Sequence, residues 1–215
     1  MSQIIKTKDG DYEFNPMRLY HGRKKINKEV AKELLFDTAD ILENHRIRYG
    51  LIYGTLLGAV RESDFIDWDE DVDIFVYDED REEFLSLISL FRSKGISIVR
   101  YEGDLLSIMR DDDYLDVYFF RKGVLGYRDC GSDRIPSKYF SGVSSINFLG
   151  RDFPTVSFFE EFLRYAYGIN WRTPHKGRPA DVRITTSKIK RCIMIIIPHL
   201  VLIKYREIKK ARSKL

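Results

Sequence analysis

The segment Tyr53–Val76, "YGTLLGAVRESDFIDWDEDVDIFV", constrains this chain more than any other. It runs from a Gly-Thr pair through a crowd of acids into an apolar strand. Asp71 and Asp73 alternate with Val72, Ile74 and Val76, and a strand sends residues i and i+2 to one face. Two carboxylates held side by side repel, and a fold tolerates them mainly when a divalent cation lies between them. The pair therefore points to a Mg²⁺ or Mn²⁺ site acting on phosphate. A solvated acidic loop suits Asp67 and Glu70 but not two acids whose neighbours must face a core. An EF-hand calcium loop is excluded, because Val72 or Ile74 would occupy the position that needs Gly.

Asp116 is a lone carboxylate inside the apolar strand "YLDVYFF" (114–120). Burying an unpaired charge is costly enough that the group usually neutralises instead. If this strand lies beside 71–77, Asp116 completes a three-carboxylate cluster at one end of a sheet, as a third metal ligand. The alternative is an Asp paired with a nearby Arg such as Arg110 or Arg121. Gly54-Thr55 offers a tight turn with an amide and a hydroxyl suited to a phosphate oxygen, and Arg61 could neutralise a diphosphate. A plain turn and a surface Arg are the competing readings. Trp68 is read as packing that fixes the acid loop. The four histidines (21, 45, 175, 199) lack metal spacing, and no Ser-His-Asp or Cys-His arrangement is visible.

With 215 residues the chain is long enough for one sizeable core. Two cysteines, Cys130 and Cys192, are too few for a disulfide framework, so a reducing cytoplasm is expected. The start "MSQIIKTKDGDYEF" lacks the apolar run of a secretory signal. The net charge of +3 hides an asymmetry: residues 188–215 carry nine Lys/Arg against one acid, which leaves the preceding 187 residues at −5. The expected organisation is a globular domain at 1–187 and a basic tail at 188–215. Within that tail "CIMIIIPHLVLI" (192–203) is apolar, but a helix of that length rises about 18 Å against a hydrocarbon core of about 30 Å. It suits a helix on an anionic membrane surface, here the inner face of the plasma membrane, or one packed on the domain. A nucleic-acid partner is not expected, because the candidate site is acidic and the positive charge is confined to the tail.

Periodicity predicts helices over 28–45, 79–93 and "SFFEEFLRYAYG", the last with a capping box at Ser157 and Glu160 and a C-cap at Gly168. It predicts strands over 48–53, 71–77, 96–101 and 114–120, and a hairpin turning near Gly150. "LLGAVR" reads as a short helical turn, and 121–145 is loop-rich without a clear assignment. Such alternation implies an α+β fold, a mixed sheet flanked by helices.

These residues resemble the LicD family, which includes bacterial phosphocholine transferases and fukutin-type proteins. The family pattern Gly-Thr-Leu-Leu-Gly-x-x-Arg followed by Ile-Pro-Trp-Asp-Asp-Asp-hydrophobic-Asp reads here as Gly54 to Arg61 and Ile66 to Asp73. Asp67 stands for the usual Pro, and Glu70 for an Asp. Pro154, Glu160-Glu161-Phe162-Leu163 and Tyr167-Gly168 match a later family feature, so the likeness covers about residues 28–175. The resemblance implies a nucleotidyltransferase-like fold. It also implies transfer of phosphocholine or a polyol phosphate from a CDP-linked donor to a glycan or lipid-linked sugar. In that scheme Asp71, Asp73 and Asp116 serve the metal and catalysis, while Gly54, Thr55 and Arg61 orient the phosphates. A glycosyltransferase with a D-x-D metal pair and a non-catalytic membrane-associated binding protein are the alternatives.

Overall fold

The computed structural model describes residues 2–19, 22–142 and 144–174; the tail expected at 188–215 lies outside them. The chain begins with a hairpin, β1 (Gln3–Thr7) and β2 (Gly10–Phe14). Helix α1 (Lys28–Asn44) follows, started by Asn27, whose side chain accepts from the amides of Glu29 and Val30. Its buried stripe of Ala31, Leu34, Leu35, Ala39, Ile41 and Leu42 is the apolar face that periodicity required. Next come β3 (Tyr49–Leu51), α2 (Tyr53–Arg61) and β4 (Asp71–Tyr77).

The helix expected over 79–93 is divided into α3 (Arg81–Ser86) and α4 (Ile88–Ser93), after a 3₁₀ turn at Asp78–Asp80. The break has a physical cause. Leu87 N–H donates to Phe84 O and Leu90 N–H to Leu87 O, so i→i+3 bonds tighten the chain there. Phe84, Leu85, Leu87, Ile88 and Phe91 are all buried by that adjustment. Strands β5 (Ser97–Glu102), β6 (Leu105–Arg110) and β7 (Asp113–Lys122) follow as a meander. The unassigned interval holds a hairpin, β8 (Tyr127–Cys130) and β9 (Asp133–Pro136), and a 3₁₀ turn at Ser137–Phe140. Strands β10 (Ser144–Phe148) and β11 (Arg151–Thr155) form the expected hairpin, and α5 (Phe159–Tyr167) closes the described chain. Its capping box does not form. The Ser157 hydroxyl instead exchanges hydrogen bonds with the Gly142 amide and carbonyl, and Phe158 takes a left-handed backbone at the helix start.

The main sheet has the order β10-β11-β3-β4-β7-β6-β5, with β8 and β9 extending from β7. Its central pair, β4 and β7, is parallel, while β3–β4 and β7–β6 are antiparallel. The fold is therefore the expected α+β mixed sheet with flanking helices. One face is apolar along its length: Val72, Ile74, Val76, Leu115, Val117 and Phe119 are buried, and α1 packs on β4, β6 and β7. Phe84 of α3 meets Phe119 edge-on at 5.4 Å. The opposite face is divided. Phe75 and Phe120 pack against Phe140 with ring centroids 5.2 and 4.8 Å apart. Closer to the starts of β4 and β7 that face carries acids. Among the described residues no helix is long and apolar enough to cross a membrane.

Gly50 shows how tightly β3 is held. A Cβ there would lie 2.6 Å from Phe75 Cε1 and 3.0 Å from the Pro154 carbonyl. Gly50→Ala is expected to cost about 1–3 kcal/mol through overpacking. Denaturant unfolding measures it, and an unchanged midpoint would contradict this packing.

Candidate active site

The acids meet because of strand register. Asp73 of β4 pairs with Asp116 of β7, Asp116 with Ser107 of β6, and Ser107 with Arg100 of β5. These four polar side chains form one row across four neighbouring strands. Asp71 lies two residues before Asp73, opposite Tyr114, on the same face. Asp73 and Asp116 are 6% and 4% exposed, whereas Asp71 is half-buried.

Asp73 is held most completely. Its Oδ2 accepts the Gly54 amide at 2.8 Å, and its Oδ1 accepts the Tyr118 hydroxyl at 3.3 Å. Its own amide donates to Thr55 Oγ1 at 2.7 Å. This corrects the expectation for the Gly-Thr pair. Gly54 and Thr55 lie in the first turn of α2 rather than in an open turn. The amide and hydroxyl expected to face a phosphate are engaged in fixing Asp73. Gly54 is required by close approach, since a Cβ there would come 2.5 Å from Asp69 Oδ2 and 3.0 Å from Asp73 Oδ2. Asp69 is thus part of the site, which its position in an acid-rich loop did not reveal.

The third aspartate arrives differently from expectation. It is adjacent to Asp73, but its oxygens are bound by Arg100 at 2.8 and 2.7 Å and by the Ser107 hydroxyl at 2.5 Å. Neither Arg110 nor Arg121 is the partner: Arg110 binds Asp37 and Arg121 binds Asp104. The three aspartates converge without forming a three-carboxylate cage. Among the described residues no group of three His, Cys, Asp or Glu is arranged to hold a metal.

Electrostatics follows from this crowding. Burial pushes the carboxyl of Asp71 well above the usual range, and Asp73, Asp116 and Asp69 add to it. Burial does the same to Asp73, reinforced by Asp69 and Asp116 and opposed by the Gly54 and Tyr118 hydrogen bonds. Asp116 is raised by burial, with Arg100 and Ser107 acting against the rise. The Tyr167 hydroxyl is pushed well up by burial and by Asp73, Asp69 and Asp71, which places the end of α5 at the cluster. The Arg61 side chain is 7% exposed and binds Glu62 at 2.7 Å, yet its Nε is buried with no hydrogen-bond partner. Arg61 and the acids act in opposite directions on the same Tyr167 hydroxyl.

The surrounding loop is stapled. Lys28 of α1 binds Asp64 at 2.7 Å and Asp67 at 2.6 Å, so the acid that replaces the family's Pro is tied to a helix. Glu70 accepts the Gly22 amide, and the Asp69 carbonyl accepts the Ile26 amide. The bland reading of Asp67 and Glu70 thus agrees with their contacts. Tyr53 precedes Gly54 with φ at +47°. Its hydroxyl binds Asp133 at 2.7 Å, and its ring packs edge-on against Tyr118 at 5.0 Å. Tyr118 could have been found from its place two residues after Asp116. Arg100 and Ser107 could not, because only the register of three strands brings them in.

Residues 46–155 match the nucleotidyltransferase domain described as LicD/FKTN/FKRP. The chain belongs to this family. An uncharacterized protein of Rickettsia typhi is 30% identical over 108 residues, which are 50% of this chain and 34% of that protein. The lipopolysaccharide cholinephosphotransferase LicD of Haemophilus influenzae is 36% identical over 47 residues, 22% of this chain and 18% of that one. The ribitol 5-phosphate transferase FKRP of Mus musculus is 39% identical over a match covering 30% of this chain and 14% of that one. The matches span about a third or less of these relatives' lengths. Among solved structures, the lincomycin-bound adenylyltransferase LnuA superposes with a TM-score of 0.45 at 18% identity, over 62% of this chain and 85% of that one.

The residues of this LicD-family site fit a divalent cation, since Asp71 and Asp73 are like charges on one face whose carboxyls are both driven up. Carboxyls raised in the fold bind more protons there than in the unfolded chain, so their contribution to stability falls as pH rises above about 4. Acids elsewhere work the other way; Arg128 lowers Glu79 to about 2. The diagnostic is therefore the difference between melts with and without excess Mg²⁺. The Mg²⁺-induced rise in Tm is expected to grow as pH increases from about 4 toward neutrality. A rise independent of pH would contradict the raised carboxyls.

Proposed function

We propose that this chain is a metal-dependent phosphotransferase that moves a phosphorylated group, phosphocholine or a polyol phosphate, from a CDP-linked donor to a sugar of a cell-surface glycan. The observation that carries the reading is the crowding of buried acids on β4 and β7, together with Arg61, whose buried Nε lacks a partner, at the end of the helix that fixes Asp73. Acids crowded on one face, with an unfilled guanidinium donor on the same helix that holds Asp73, suit a diphosphate that arrives with its own cation. The names of the LicD and FKRP relatives agree with such a transfer.

Asp71 and Asp73 would hold Mg²⁺ or Mn²⁺, which would stabilise charge on the donor's phosphate oxygens. Gly54, Thr55 and Tyr118 aim Asp73. Arg61 meets the diphosphate through its N–H groups, the geometry in which guanidinium binds phosphate best. Asp116 faces the acceptor hydroxyl, whose proton leaves as its oxygen bonds to the distal phosphorus. The bond from that phosphorus to the bridging oxygen breaks, and CMP departs with the electron pair. Positioning and electrostatics supply the acceleration, so no protein nucleophile is needed.

The test is CMP release from CDP-choline, CDP-ribitol and CDP-glycerol, each assayed beside UDP-sugars. Asp71→Asn and Asp73→Asn are each expected to lower turnover about 100-fold or more while the protein stays folded, since both remove like-charge repulsion. Near-normal turnover in either variant, or turnover of UDP-sugars alone, would refute the assignment. Arg61→Met is expected to raise the donor KM about 10-fold through loss of charge-assisted phosphate contacts.

A further inference from the structure

Asp116 differs from its neighbours because a cation is already bound to it. Arg100 Nη2 lies between its two oxygens, and Ser107 Oγ donates to Oδ1. Ser107 is itself oriented, because its oxygen accepts Arg100 Nε at 2.8 Å. An ionised carboxylate has about four lone-pair sites, two on each oxygen. The Oδ1 sites are filled by Arg100 and Ser107, and Oδ2 keeps one.

Charge leads to the same place. A guanidinium at 2.7 Å neutralises Asp116, so a divalent cation placed on that carboxylate would face Arg100 across a few ångströms. Asp73 is held differently; its oxygens take an amide and a hydroxyl. Mg²⁺ is commonly held by one or two carboxylates, with substrate phosphates and waters completing the shell. Two carboxylates on β4 are therefore enough, and a third on β7 is spare for other work.

We infer that Arg100 and Ser107 are positioning residues that confine the divalent cation to the β4 acids and reserve the last lone pair of Asp116 for the acceptor hydroxyl. The inference rests on the transferase reading above and deepens it. Arg100 has 18% of its side chain exposed and hydrogen-bonds Asp116 and Ser107. It acts only through Asp116. In the transfer, the hydroxyl O–H bond breaks, its proton goes to Oδ2 of Asp116, the new P–O bond forms, and CMP carries off the electron pair of the broken anhydride bond.

The experiment is a double-mutant cycle of Arg100→Met and Asp116→Asn, with Ser107→Ala, Arg100→Lys and Asp73→Asn alongside. Each protein is read by calorimetric titration with Mn²⁺ alone and by kcat. The double variant removes both charges and so avoids the uncompensated buried acid that Arg100→Met alone leaves. Mn²⁺ affinity is expected to stay within about 3-fold, or to tighten, in Arg100→Met and Asp116→Asn, and to fall about 10-fold or more in Asp73→Asn. Turnover is expected to fall about 10–100-fold in Arg100→Met, with partial recovery in Arg100→Lys and a smaller loss in Ser107→Ala. In the Asp116→Asn background, Arg100→Met should cost nothing further. Loss of Mn²⁺ binding in Arg100→Met or Asp116→Asn equal to that in Asp73→Asn overturns the inference, as do additive kcat losses. A wild-type protein that binds Mn²⁺ but turns over no CDP-linked donor defeats the donor assignment, while the titrations still decide where the cation sits.

Discussion

Crowded, buried carboxylates are the constraint on which this structure turns. Asp73 and Asp116 stand side by side on parallel strands, with Asp71 and Asp69 close enough to act on them. Asp116 is ion-paired to Arg100. A fold built for stability alone would place apolar residues there, because replacing buried charge with well-packed hydrophobes is often neutral or favourable. Keeping the acids costs stability that the rest of the sheet must supply. The apolar face beneath α1, α3 and α4 and the aromatic cluster around Phe140 supply it.

The same sheet separates the tasks. Residues facing one way along β4 and β7 build a core, and residues facing the other way build a site. Helix α2 connects the two, because its first turn delivers the Gly54 amide and the Thr55 hydroxyl to Asp73. Register then grades the acids. Those on β4 are held by neutral donors, while the one on β7 is held by a guanidinium. This grading is the physical basis for giving them different roles in a LicD-family transfer.

Much of this was legible in the sequence. The alternation of Asp71 and Asp73 with Val72, Ile74 and Val76 gave the strand, its faces and the paired acids. The apolar neighbours of Asp116 made its burial readable. What stayed hidden is long-range. Nothing local to Arg100 or Ser107 announces that β5, β6 and β7 pair in a register that brings them to Asp116. The Gly-Thr pair stands out in the sequence, but its amide donates to the Asp73 carboxylate and its hydroxyl accepts the Asp73 amide, because α2 starts one turn earlier than "LLGAVR" suggests. Ser157 and Glu160 had the spacing of a capping box, yet the Ser157 hydroxyl found the Gly142 backbone instead. Helix breaks such as the one at Leu87 depend on which side chains the core accepts, which periodicity alone does not record.

The most direct test of the proposed cation site is an anomalous difference map from Mn²⁺-soaked crystals of the protein. The account predicts a peak bound by carboxylate oxygens of Asp71 and Asp73, at about the 2.0–2.2 Å expected for a small divalent cation, with the Arg100–Asp116 pair intact beside it. A map without a peak at these acids, or with the metal seated on Asp116 and Arg100 displaced, would contradict it.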